Sequence, residues 1–377
     1  MVAGPRARGA ESAAGGVAAG LRAGRAESAA GGVAGGPPPL VAIDARAAVR
    51  PELGGVERWA RELATRLPAL RPDGYAVMAP PRRLAHRAGH AWEQVVLPLR
   101  AARRGASVLL CPANLAPVAH PRVVVVLHDA AVLRHPGSYS RAYATWQRHL
   151  LPAVARRALH VVTVSEFSRR ELCALLPLTP ERVTVVPGGV GEGFAADADA
   201  RGAARALGLR RPYVLCVAAQ TARKNLAALG AAAAALATEG VDTVVAGGHR
   251  PQFAREHGLA GLRLLGRVPD ALLPGLYAGA EAFVLPSRYE GFGLPVLEAM
   301  ASGVPVVAAA TGALPETCGG AARLVAPEPD ALRDALLDLV RDTAQRERLR
   351  AAGLERAAAF GWDRTARAID ALLHRVS

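Results

Sequence analysis

The sequence predicts an α/β protein built of two doubly wound domains. Three observations carry that prediction. A chain of 377 residues is long enough for two domains that each bury a core. A strand, a short loop and a helix follow one another from Leu40 and again from Tyr213, as at the opening turn of a doubly wound domain. Between residues 282 and 308, strand, glycine turn, helix and strand make a right-handed βαβ crossover.

Residues 1–39 are mostly Ala, Gly, Arg and Pro, and Ala10–Ala18 recurs as Ala26–Ala34. With so little apolar bulk this stretch is expected to be a disordered low-complexity tail without a catalytic role. The first domain is expected over 40–190. It opens with strand Leu40–Asp44, the loop Gly54-Gly55 and the amphipathic helix Val56–Leu67. The loop is not G-x-G-x-x-G, which weakens a dinucleotide reading. Strands follow at Ser107–Cys111 and Arg122–Leu127, the second running directly into His128-Asp129. A His beyond a strand's carboxyl end sits at the crevice where open α/β sheets bind ligands. Asp129 either orients that imidazole or caps the following turn.

Tyr139–Leu159 reads as a helical region interrupted at Pro152, with Arg141, Arg148, Arg156 and Arg157 beside aromatic and aliphatic residues. It is either a basic surface for anionic lipid or a core-facing helix with a solvated face. Strand Val161–Val164 and helix Glu166–Leu176 follow, with Ser165 as N-cap. Strand Val183–Val186 leads to Pro187-Gly188-Gly189. Residues 191–202 are expected to be the interdomain linker.

The second domain is expected over 203–361. Strand Tyr213–Ala218 precedes Arg223-Lys224-Asn225, two cations read as a phosphate clamp at a helix start. Asp242–Ala246 and Leu262–Leu265 are the next strands, and Gly266–Asp270 leads into a helix. Strand Ala282–Leu285 then meets Glu290, Gly291 and Gly293 supply the turn, and Pro295 and Glu298 lie in the first turns of a helix that stops at Gly303. Val304–Ala308 is the next strand, and Thr311-Gly312 follows it as a possible approach to a ligand. Ala331–Ala359 is helical, and the helix over 362–377 is expected to cross back onto the first domain.

Composition narrows the function. The net charge is +14, and 25 Arg face 12 Asp and Glu through Val190, so the excess belongs to the first half. That points to an anionic partner or to arginine-rich coding bias. Lys224 is the single lysine in the chain, which marks it out. Cys111, Cys173, Cys216 and Cys318 are scattered without a C-x-x-C pair, and a reducing cytoplasm fits. No apolar run reaches a membrane span, and no secretory signal is evident. No aromatic platform or helix-turn-helix phrase supports nucleic acid.

On spacing alone, Glu290 and Glu298 suit either a sugar nucleotide, with a helix N-terminus between them for phosphate, or an ordinary solvated crossover helix. The run Glu290-Gly-Phe-Gly-Leu-Pro-Val-Leu-Glu298, however, resembles the E-x7-E motif of family 4 retaining glycosyltransferases nearly residue for residue. Val164-Ser-Glu-Phe-Ser168 and Arg223-Lys224 are similar to other phrases of that family. The resemblance spans Leu40 to Ser377. It implies the GT-B architecture, two Rossmann-like domains facing across a cleft, and transfer of a sugar from a nucleotide donor to an acceptor hydroxyl with retention, without metal or cofactor.

It also implies roles for single residues. Glu290 contacts donor-sugar hydroxyls and Glu298 grips the ribose. Arg223 and Lys224 hold the diphosphate. His128 lies near the reaction centre, and the Gly55 loop closes over the donor. Val268 is the expected base contact, with Gly291, Phe292, Gly293 and Leu294 lining the donor site. The catalytic set is therefore His128, Glu290, Arg223 and Lys224. Two departures stand out: Gly188 where the family has Asn, and Ala218-Ala219 where it has a glycine. The wording favours mannose or a related hexose, carried on a GDP- or UDP-sugar, and a saccharide or lipid-linked acceptor. Weak anionic-membrane contact at the inner face of the plasma membrane is a further expectation. Alternatives are an epimerase-like enzyme on the same fold or a non-catalytic anion-binding paralogue.

Overall fold

The computed structural model describes residues 40–50, 54–81, 83, 85, 89–254 and 256–376. The expected low-complexity tail lies outside them. Among the described residues, twelve strands form two six-stranded sheets, and every strand pairing is parallel.

The first sheet contains β1 (Val41–Asp44), β2 (Tyr75–Met78), β3 (Val108–Cys111), β4 (Val123–Val126), β5 (His160–Thr163) and β6 (Val183–Val185), in the order β2-β1-β3-β4-β5-β6. The second contains β7 (Tyr213–Val217), β8 (Asp242–Ala246), β9 (Arg263–Gly266), β10 (Ala282–Leu285), β11 (Val306–Ala309) and β12 (Arg323–Val325), in the order β12-β11-β10-β7-β8-β9. β1, β3, β4 and β10 are buried on both faces, as strands covered by crossover helices must be. This explains why they read as unbroken apolar runs rather than alternating ones.

The strand order reverses between β1 and β3 in one sheet and between β7 and β10 in the other. Ligand crevices of open α/β sheets open at such points, beyond the carboxyl ends. Asp44 and Cys111 end β1 and β3, and the Ala218–Lys224 and Ser287–Glu290 segments follow β7 and β10. The candidate residues thus cluster where topology places a crevice.

Four local expectations change. The helix Arg141–Arg157 runs through Pro152 without a break, burying Leu151, Val154 and Ala155 while Arg141, Arg148, Arg156 and Arg157 are exposed. It is a core-facing helix with a solvated face. Helix Ala200–Ala206, capped by Asp199, begins within the last three residues of the stretch 191–202 expected to be linker and continues into the second domain. The helical stretch before residue 359 is two helices, Pro329–Arg341 and Thr343–Ala358, because Asp342 turns outward to cap the second through Gln345 N–H. Arg223-Lys224 do not begin an α-helix. They lie in a 3-10 turn, Ala222–Lys224, that Asn225 ends in the left-handed conformation at φ 56°.

The last helix, Trp362–Val376, packs on the first domain's helix Gly55–Leu70. Trp59 and Trp362 meet edge to face at 5.6 Å. Tyr75 OH donates to Asp370 at 2.6 Å, and Arg71 Nε does so at 2.9 Å.

Candidate active site

The second domain supplies one wall. Glu290 follows β10 and is only 6% exposed, so its charge must be matched locally. Lys224 Nζ donates to its Oε1, Ser287 Oγ donates to the same oxygen at 2.7 Å, and Arg223 lies 3.6 Å from Oε2. Burial works to raise the Glu290 carboxyl, but Lys224 and then Arg223 outweigh it and hold it below the ordinary glutamate value. Burial pushes the Lys224 ammonium down, with Glu290 opposing. Burial also works against the Arg223 charge, yet Tyr139, Glu290 and Asp129 together make it harder to deprotonate than a free arginine.

The loop is braced from behind. Arg223 donates to Tyr289 O at 3.0 Å, Thr311 Oγ1 to Ser287 O at 2.6 Å, and Ala313 N–H to Glu290 O at 2.9 Å. Thr311-Gly312 therefore supports the Glu290 loop. The two cations expected to clamp phosphate converge as expected, but on Glu290, which is the anion they hold here.

Glu298 sits one turn into helix Leu294–Ala301, 5% exposed. Tyr277 OH donates to Oε2 at 2.9 Å, and Arg58 of the first domain pairs with Oε1. Burial raises the Glu298 carboxyl and Arg58 opposes that.

The first domain supplies the facing wall. His128 is buried, its ring edge-on to Trp59 at 5.4 Å. Its Nε2 is 2.9 Å from Pro112 O, and the His128 backbone N–H donates to Asn114 Oδ1 at 2.8 Å. Asp129 does not orient the imidazole. It accepts from Ala131 N–H at 2.9 Å and so caps the turn. Burial lowers the His128 pKa, which keeps the ring neutral near pH 7.

The two walls touch through Gly291. A Cβ there would stand 2.6 Å from Asp129 Cβ and 2.9 Å from His128 O, so only glycine allows this approach. Its carbonyl accepts from Ser165 Oγ at 2.6 Å and Ser168 Oγ at 2.9 Å. Gly293 takes φ +103° at the N-cap of the Glu298 helix, a conformation open to few other residues. Phe292 and Leu294 are buried beside it, and Leu294 Cδ1 lies 3.6 Å from where a Gly55 Cβ would be. Gly55 is the first residue of its helix and faces Leu294 of the Glu290–Glu298 run. Val268 is 5% exposed and belongs to the apolar core, so its side chain presents little surface to a base.

At the departures from the family pattern, a Cβ at Gly188 would stand 2.8 Å from Trp59 Nε1, so the indole fills the room a side chain would need. Ala218 and Ala219 lie under Gly247, whose φ is 134° and whose Cβ position is 2.1 Å from Ala218 O.

Several residues went unread in the sequence. Arg58 and Tyr277 complete Glu298. Glu316 caps the first-domain helix Glu166–Leu175 from the other domain, accepting from Glu166 N–H at 2.8 Å and Phe167 N–H at 3.0 Å. Thr221 Oγ1 donates across to Ser138 O at 3.1 Å. Arg250 pairs with Glu57 across the domains at 3.3 Å. Nothing local distinguishes these side chains, because each finds its partner in the other domain or a distant element. Among the described residues, no group of three or more His, Cys, Asp or Glu is placed to hold a metal ion.

Comparison with known proteins agrees with this geometry. The family model "Glycosyl transferases group 1" matches residues 211–342, and "Glycosyltransferase Family 4" matches residues 101–192. The chain is 32% identical over 260 residues to O-antigen chain mannosyltransferase B of Escherichia coli, covering 64% of this chain and 67% of that protein. It is 32% identical over 225 residues to an MMP alpha-(1->4)-mannosyltransferase of Mycolicibacterium hassiacum, covering 56% of this chain and 53% of that one. The chain thus spans about half the length of that second relative. A sucrose-phosphate synthase from Thermosynechococcus elongatus superposes with a TM-score of 0.72 at 21% identity, over 90% of this chain and 99% of that one, which shows the shared GT-B fold. Two sheets with their switch points facing, the Glu290–Glu298 pair at the crevice and these matches together place the chain in glycosyltransferase family 4, the group 1 glycosyl transferases.

Proposed function

We propose that the protein is a retaining, metal-independent hexosyltransferase that moves mannose or a related hexose from a GDP- or UDP-sugar to a saccharide or lipid-linked acceptor. One observation carries the reading: two cations, Arg223 and Lys224, and a buried carboxylate, Glu290, converge where β7 and β10 end, with Glu298 one helix turn beyond. The choice of mannose leans on the printed names of the two mannosyltransferase relatives.

In this reading the donor diphosphate lies against Arg223 and Lys224, which stabilise the charge that grows on it as the anomeric bond breaks. Glu290 and neutral His128 orient the sugar. The acceptor oxygen bonds to the anomeric carbon on the face the diphosphate leaves, and its proton passes to the departing phosphate oxygen. No carboxylate is assigned as a nucleophile, because Glu298 serves the ribose.

Peripheral attachment to an anionic membrane belongs to the same proposal. No described helix is long and apolar enough to cross a membrane. The outward face of the helical run Trp92–Arg103 exposes Val95 (59%), Val96 and Leu99 (55%), followed by exposed Arg100, Arg103 and Arg104. Glu93, the acid of that run, is buried.

A thermal-shift screen against GDP-, UDP-, dTDP- and ADP-sugars tests the donor site, since a ligand that binds only the native state raises Tm. A rise with one nucleotide class, lost in Lys224→Ala and Glu298→Ala, supports the assignment. A folded protein that shifts with none of them overturns it.

A further inference from the structure

Arg58 is a costly residue where it stands. It lies in the first turns of helix Gly55–Leu70, where a cation opposes the helix dipole. Its guanidinium is largely removed from water and packs 5.3 Å over the Phe194 ring. What it gains is Glu298 Oε1, on the opposite wall of the cleft and 240 residues away in sequence.

An ionised carboxylate offers about four lone-pair sites. Arg58 takes one on Oε1, and Tyr277 OH takes one on Oε2 at 2.9 Å. One site on each oxygen is left, which is what a vicinal diol needs to donate two hydrogen bonds. We propose that Arg58 is a positioning residue of the donor site, orienting Glu298 for the pentose hydroxyls of the donor from across the cleft. Because it belongs to the facing domain, that grip is complete only when the domains are closed. The proposal rests on the assignment of Glu298 to the donor pentose.

The charged and titratable groups facing Glu298 are Arg58, Tyr277 and Asp270. Burial and Asp270 favour its neutral form, Arg58 and the Tyr277 hydroxyl its ionised form. Without Arg58 the carboxyl shifts upward and accepts a proton as pH falls, which removes an acceptor site.

Donor saturation kinetics with Arg58→Met, Arg58→Lys and Glu298→Gln test this. Arg58→Met should raise the donor KM about tenfold, the worth of one charge-assisted hydrogen bond, and leave kcat within about threefold. Its donor KM should climb more steeply than the wild-type value as pH falls, and Arg58→Lys should recover most of the loss. A KM unchanged in Arg58→Met, or raised with no steeper pH dependence than the wild type and without rescue by Lys, overturns the proposal. If Arg58→Met does not fold, Tyr277→Phe reads the same orientation, with a raised KM expected and an unchanged one overturning it. An unaffected Glu298→Gln enzyme sinks the pentose assignment and the proposal with it. An impaired Glu298→Gln beside a silent Arg58→Met sinks the Arg58 role alone.

Discussion

The crevice ends of the two sheets pair their buried charge to different degrees. Beyond β10, Glu290 has partners on both oxygens: Lys224, Ser287 and Arg223 surround it. Beyond β1, Arg46 and Glu93 are equally buried and lie 2.5 Å apart, yet among the described residues Arg46 Nε and one of its terminal nitrogens find no hydrogen bond, nor does Asp44 Oδ2. Burial pushes Glu93 up to about 7 despite Arg46, and burial with nearby Arg46 and Arg50 brings His90 down to about 4. The second-domain cluster is more nearly closed: among the described residues both Glu290 oxygens face a cation, and Arg223 Nε is the buried atom of the cluster left without a hydrogen bond. The first-domain cluster is undersatisfied, and its protonation responds to pH. The more completely buried charge is paired, the more it preorganises, whereas sparsely paired buried charge stores free energy that is released when a proton or partner arrives.

The sharpest way to break this contrast is to unbalance the Glu290 cluster. Lys224→Ala leaves Glu290 with Arg223 at 3.6 Å as its remaining cation. Turnover should fall by about a hundredfold or more, as when one preorganised transition-state partner is removed. Stability should fall by about 3 kcal/mol, the scale for breaking a buried pair, read by denaturant unfolding. Loss of neither would show that the cluster is not preorganised.

Gly291→Ala comes next. Its new methyl collides with Asp129 and His128 O, so the domains cannot close, and kcat should drop at least tenfold while the isolated thermal unfolding of each domain changes little. Scattering that shows an unchanged envelope with full activity would count against closure through this contact.

The first-domain cluster predicts a pH effect with a definite sign. Glu93 binds its proton more tightly folded, at about 7, than unfolded near 4.5. Between those values the native state holds more protons, so stability falls as pH rises through that window. In Glu93→Gln that slope should flatten, measured by urea midpoints from pH 5 to 8. An unchanged slope would assign the titration elsewhere.

The smallest effect is at the domain-crossing helix. Asp370→Asn weakens its bonds from Tyr75 and the half-exposed Arg71, and should cost about 1 kcal/mol with activity retained.

Much of this was legible in the sequence. The uninterrupted valines of β4, the β10 strand, the Gly293 turn and the Glu298 helix follow local rules of apolar run, glycine and proline placement, and they fall where expected. Pro152 misled, because a helix packed on a sheet tolerates the loss of one internal hydrogen bond that an isolated helix would not. Arg223-Lys224 misled in another way: the pair was read as starting a helix, but Asn225 bends the chain left-handed and lets both cations reach Glu290.

By itself the sequence determined most of the strands and helices, the two-domain α/β plan and the places of Glu290 and Glu298, because each depends on neighbours within a few residues, whereas the edge strands Tyr75–Met78 and Arg323–Val325 went unread. Only the tertiary structure decided that Arg58 meets Glu298, that Ser165 and Ser168 hold Gly291, and that Glu316 caps a helix of the other domain. Those partners are more than 100 residues apart in the chain, and the choice among many equivalent arginines, serines and glutamates is made by which of them the folded domains bring within hydrogen-bonding reach.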